Sequence, residues 1–135
     1  MTGSVAVSED GETDVLLIKV TDDGQEVWTK TYGGDLSDVG MSVAPFKGGY
    51  VLAGITDNPN GAVGKNIFLC RTNVEGDTLW TKSIGSNAYN EEAEELVVTQ
   101  NDEIVIAGQI TTNTLQAYIA KFNENGEEIW SKAIS

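Results

Sequence analysis

Histidine is absent from this 135-residue chain. That removes the commonest general base, the usual zinc ligand and the base of a Ser-His-Asp triad. Cysteine occurs once, as Cys70, so no disulfide can form within the chain. Cys70 stands in the apolar run 67–70, where a small buried residue is the expected reading. A reactive thiol needs an exposed, electropositive setting, and the neighbouring Arg71 falls on the opposite face of a strand. No apolar run approaches the roughly 18 residues of a membrane-spanning helix; runs such as 15–18 (VLLI) are strand-sized. Basic residues are scarce, with 8 Lys and Arg against 21 Asp and Glu and a net charge of −13. A surface this acidic is repelled by nucleic acid and by anionic membranes, so neither is expected as a partner. Solubility is the simplest role of the charge; a cationic partner or divalent ions are the sharper one. Met1 stands almost directly before repeated sequence, with no basic or apolar leader segment, so no signal peptide is expected.

What the chain does contain is a repeat. The string DVLLIKVTDDGQEVWTKTYGG at 14–34 returns as NIFLCRTNVEGDTLWTKSIGS at 66–86 and as QAYIAKFNENGEEIWSKAIS at 116–135. Trp28, Trp80 and Trp130 lie 52 and 50 residues apart, and Gly24, Gly76 and Gly126 keep the same intervals. Gly54 and Gly108 are matched in the same way, with Gly3 as their counterpart near the start. A period near fifty marks a unit that stacks on copies of itself. With 40% apolar residues the chain can build a core, and its length fits a single domain, 1–135.

Each full unit reads as four strands. In the middle unit these are 40–46, 50–56, 66–72 and 78–84, and in the last 93–99, 103–109, 116–122 and 128–134. The first unit lacks its opening strand and begins partway through its second. Glycine and asparagine clusters between the runs supply tight turns. Short strands at hairpin spacing predict an antiparallel all-β fold of eleven strands. Residues 89–98 (YNEEAEELVV) favour helix by composition, but their alignment with 38–46 predicts a loop running into the strand at 93–99. The second and third strands are apolar on both faces, as buried strands are. The fourth alternates charge with large apolar groups and carries lysine, as an outer strand does.

The combination GGYVLAGIT, NIFLCRTNVEGDTLWTKSIG and the recurring basic position (Lys19, Arg71, Lys121) resembles the β-propeller repeat of large bacterial and archaeal secreted or surface proteins. The resemblance runs from Gly3 to Ser135. It implies four-stranded antiparallel blades: a partial one at 1–34, a second at 35–86 and a third at 87–135. It also implies an extracellular or cell-surface setting. Propellers use about four to eight blades, and this chain holds about two and a half. The ring is therefore expected to be open, completed by homo-oligomerisation, or part of a longer chain. Uncovered blade faces and sheet edges make self-association the expectation.

No catalytic constellation is visible, so the chain is expected to be a non-catalytic scaffold or binding module, with a protein or glycan as ligand. The alternative is a cofactor- or calcium-dependent enzyme propeller, quinoprotein-like or glycan-active. The recurring tryptophans suit an aromatic sugar platform, but packing of each indole between blades, its N–H finding a partner, is the expected reading. The basic position suits an anion site, but an ion pair or a snorkelling stem at the blade margin is expected. Calcium takes about six to eight oxygen ligands, and the acidic loops offer Asp10, Asp14, Asp35 and Asp38 as candidate ligands. No EF-hand spacing is present, and no cofactor is expected. Adjacent Glu91 and Glu92 are no sign of glycoside hydrolysis, which needs a spatial separation. Gly33-Gly34 and Gly48-Gly49 open no helix and precede no phosphate-loop lysine.

Overall fold

A computed structural model of the chain describes residues 2–6, 12–57, 64–86 and 88–135. Every regular element among them is a β-strand: β1 (Thr2–Ala6), β2 (Thr13–Val20), β3 (Glu26–Tyr32), β4 (Asp38–Phe46), β5 (Gly49–Asp57), β6 (Lys65–Asn73), β7 (Thr78–Ile84), β8 (Asn90–Val98), β9 (Ile104–Thr111), β10 (Leu115–Phe122) and β11 (Glu128–Ile134). They form three antiparallel sheets in chain order: β1-β2-β3, β4-β5-β6-β7 and β8-β9-β10-β11. The eleven expected strands and the all-β class are as the sequence indicated. Residues 90–98 pair along β9 despite their helical composition, because a strand whose apolar side chains reach a core outweighs a weak helix propensity.

The turns follow from residue type. Phe46 pairs with Gly49 across a two-residue connection in which Lys47 and Gly48 both take positive φ, 46° and 75°. Such a turn matches the twist of the strands it joins. The hairpins β2–β3, β6–β7 and β10–β11 share one construction. In each, the glycine N–H donates to the carbonyl three residues earlier, Gly24 to Thr21, Gly76 to Asn73 and Gly126 to Asn123, at 3.0 to 3.1 Å. The φ of those glycines is +84°, +82° and +69°, a region that side chains with a Cβ occupy at a cost. A bulge follows on the strand in all three.

The first strands of the second and third sheets carry a matching bulge, between Gly40 and Ser42 and between Ala93 and Glu95. Gly54 and Gly108 lie opposite. A Cβ on Gly54 would overlap the Val39 carbonyl oxygen, and one on Gly108 would overlap that of Glu92. Their recurrence in the sequence thus has a backbone cause.

The second sheet is covered on both faces. Leu52, Phe68 and Cys70 pack with Val15, Leu17 and Tyr32 of the first sheet. On the other face, Val51, Ala53, Ile67 and Leu69 pack with Ala93, Leu96, Ile104, Ile106, Ala120 and Phe122 of the third. This explains why β5 and β6 read as continuous apolar runs. The outer strands β3, β7 and β11 are the most exposed, as their alternation with charge foretold. Cys70 is fully buried, and burial pushes its thiol up to about 12.

Candidate functional site

Two seams, between sheets one and two and between sheets two and three, gather most of the residues singled out by the repeat. At the hairpin end, each indole of an inner seam rests on the glycine hairpin of the following sheet. A Cβ built on Gly76 would lie 3.0 Å from Cη2 of Trp28, and one on Gly126 would lie 2.8 Å from Cη2 of Trp80. Positive φ and close approach therefore both demand glycine there. The Tyr32 hydroxyl donates to the Gly76 carbonyl at 2.7 Å, and Lys30 pairs with Asp77 at 2.8 Å across the same seam. Trp130 lies on the third sheet, where among the described residues no further sheet covers it, and it is 41% exposed. The expected partner for each indole N–H is not found at Trp80, whose buried Nε1 has no hydrogen-bond acceptor among the described residues. The Lys82 ammonium lies 5.8 Å from the Trp80 ring centroid instead.

The recurring basic position plays two local roles. Lys19 stands 5.7 Å from the Tyr50 ring centroid, and Arg71 stands 5.1 Å from that of Phe46. Lys19 on β2 reaches across to a ring of the second sheet, whereas Arg71 on β6 reaches a ring on β4 of its own sheet; in both the stem adds apolar cover. Lys121 instead pairs with Glu103 at 2.6 Å and holds that carboxyl below its usual range. The expected ion pair or snorkelling stem thus takes both forms. Trp28 meets Tyr50 edge-on, with ring centroids 6.0 Å apart. Together with Lys19, Val43 and Pro45 these rings line an open groove of about 280 Å³.

At the opposite end of each seam, polar oxygens meet around a glycine. Gly33 sits between Asp14 and Asp38: a Cβ there would overlap Asp14 Oδ1 and lie 2.7 Å from Asp38 Oδ2. Burial holds the Asp38 carboxyl above its usual range, opposed by hydrogen bonds from Thr56 and the Gly34 N–H, and the Asp14 charge adds to the rise. The second seam repeats the plan with Asn66, Gly85 and Glu91. A Cβ on Gly85 would lie 2.6 Å from Asn66 Oδ1 and 3.1 Å from Glu91 Oε2. Asn66 donates to Ser83 Oγ at 3.0 Å, and the Ser86 N–H donates to Glu91 Oε1 at 3.1 Å. Burial raises the Glu91 carboxyl too.

Of the four candidate calcium ligands, Asp14 and Asp38 are brought together at Gly33. Asp35 is exposed on the β3–β4 connection beside a second cavity of about 220 Å³. Asp10 lies outside the described residues. No group of three or more His, Cys, Asp or Glu is placed to hold a metal ion among the described residues, and two carboxylates fall short of the oxygen shell that calcium takes. No helix among them is long and apolar enough to cross a membrane.

Neither a comparison with protein-family models nor a search of curated proteins finds a match for this chain.

Asn66 and Tyr50 were not singled out from sequence, and Glu91 was weighed there only beside Glu92 as a hydrolytic pair. Asn66 and Glu91 align with Asp14 and Asp38 in the repeat, and that alignment was the available signal. Tyr50 carried none beyond its place at the start of a buried strand.

Proposed function

We propose that the chain is a non-catalytic propeller-type module, a scaffold or binding platform whose sheets are blades and whose array is completed beyond its own eleven strands. Completion comes from self-association or from further blades of a longer protein. The observation that carries this reading is the pair of seams, in which one sheet's tryptophan seats on the next sheet's hairpin glycine. The same seating plan leaves an open seat, Gly24, at one end and an exposed indole, Trp130, at the other. Repeat arrays of this kind gain stability from each neighbouring interface and leave apolar faces at uncovered ends. Light scattering on the purified chain tests self-association. A mass above one chain that falls on dilution is expected, and a monomer at every concentration would overturn it.

The groove at Trp28, Tyr50 and Lys19 favours a ligand role as well. An exposed edge of two aromatic rings with a cation beside them suits the apolar face and hydroxyls of a sugar, or a protein side chain. Titration with oligosaccharides, followed by tryptophan fluorescence in the chain and in a Tyr50→Ala variant, checks it. No change with any sugar would remove the glycan reading.

A further inference from the structure

Three sheets in one chain contain two complete seams and the two halves of a third. One half is the outer face of the third sheet. Ala117, Ile119 and Trp130 stand there in the positions that Ile67, Leu69 and Trp80 hold on the second sheet. Ile67 and Leu69 are fully buried beneath the third sheet. Ala117 and Trp130 are exposed, and Ile119 is half-buried. The other half is the β2–β3 hairpin of the first sheet. Gly24 takes the same positive φ as Gly76 and Gly126, and its hairpin has the same hydrogen bonds. Space for a side chain is blocked by an indole at Gly76 and Gly126, whereas among the described residues nothing lies within 4 Å of a Cβ built on Gly24. The seat is formed and empty.

Charge points the same way. In the internal seams Lys30 reaches Asp77, and Lys82 lies against the Gly126 hairpin. Their counterpart on the third sheet is Lys132, which is exposed. The open hairpin has the neutral Gln25 where the second sheet has Asp77, and its acidic groups are Asp22 and Asp23 on the same turn, both exposed. A basic group on one end and an acidic turn on the other are complementary between copies and repel when like ends meet.

We infer that the third sheet of one copy docks on the first sheet of a second copy, head to tail, with Trp130 seated on Gly24 as Trp28 is on Gly76. This rests on the propeller-type reading above and adds the partner, its orientation and the residues at its centre. A large aromatic entering a shaped seat is the kind of contact that dominates an interface. The contact joins two different surfaces, so it leads to a closed ring when the rotation closes and to an open chain when it does not. A face-to-face pairing of two third sheets would bring two indoles together with no glycine seat for either.

Two variants separate the halves. Trp130→Glu removes the knob and places a carboxylate on that face. Gly24→Asn fills the seat with the residue that, after glycine, best tolerates positive φ. Sedimentation equilibrium on each, with circular dichroism to verify the fold, should show association at least about tenfold weaker than the parent chain. An equimolar mixture should form a dimer and nothing larger, because each variant keeps the half that the other lacks. Parent-like association in either variant, or a mixture that stays monomeric while the parent chain assembles, overturns the head-to-tail arrangement and leaves self-association standing. A parent chain that is itself monomeric at every concentration ends both.

Discussion

The second and third sheets share a strand plan and differ in cover. Leu69 and Ile119 occupy matching places on β6 and β10, yet Leu69 is fully buried and Ile119 only half so. Ile67 is fully buried where its counterpart Ala117 is exposed. Trp80 is partly buried beneath a hairpin, while Trp130 faces outward. The β6–β7 and β10–β11 ladders and their glycine hairpins match in the two sheets, so these do not set the difference. It is set by whether another sheet lies on top. Strand formation is thus a local property of these sequences, whereas burial is a property of the stack.

Four substitutions or conditions break or sharpen that comparison. The largest effect should come from truncating the core. Leu69→Ala removes a side chain with apolar neighbours all round and should cost about 2–5 kcal/mol, while Ile119→Ala should cost under about 1.5 kcal/mol because less of its surface is covered. Urea unfolding of both variants under monomeric conditions checks the gap; equal losses would mean that the outer face of the third sheet is covered after all. Next come the hairpin glycines. Gly24→Ala and Gly126→Ala both meet the cost of a Cβ at positive φ, about 1 kcal/mol. Gly126→Ala also displaces the Trp80 indole, so its midpoint should fall further by about another 1 kcal/mol. Matching midpoints would show that the indole seat contributes nothing.

A smaller effect follows from acid titration. Burial holds the Asp38 and Glu91 carboxyls above their usual range. The folded state therefore binds their protons more tightly than the unfolded chain, and ionising them opposes folding. That penalty is present at neutral pH and is relieved as pH falls through the raised folded values toward the unfolded ones. Asp77, Glu103 and Glu124 are held below their range by Lys30, Lys121 and Lys47. Their contribution disappears only at lower pH, as the lowered folded values are approached. The guanidinium midpoint should rise from neutral into mildly acidic solution and then drop. Relief of the net negative charge acts in the same direction as the first step, so Asp38→Asn combined with Glu91→Gln isolates the seam contribution by flattening part of the rise. The smallest effect belongs to the exposed pair Lys30–Asp77. Lys30→Met should lower the thermal midpoint only slightly, because an exposed pair is screened by solvent, and Lys132→Met less still in a monomer, as thermal unfolding would register.

Much of the fold was legible before any coordinates. The intervals between Trp28, Trp80 and Trp130 marked the three glycine hairpins, and the doubly apolar runs of β5 and β6 announced a sheet covered on both sides. Alignment overrode composition correctly from 93 onward, because a repeat reports the environment of a segment and propensity does not, although the strand begins at Asn90, where a loop was expected. The grouping at the seams was less legible. Asp14 and Asp38 are 24 residues apart in sequence and meet only because neighbouring sheets bring them to one glycine. The indole seats join residues 48 and 46 positions apart, and no local pattern encodes which glycine receives which ring. The missing acceptor at Trp80 was equally unreadable, since hydrogen-bond supply depends on the packed neighbours.

Cys70 lies at the first seam, wedged with Leu52 and Phe68 against Val15 and Leu17, and it is the chain's sole thiol. A protein so arranged carries its own clock. A thiol reagent can react there only after the first two sheets part, since burial both shields the sulfur and keeps it protonated. Labelling rates would therefore time the separation of that one seam in native solution, blind to fraying at the far end of the stack.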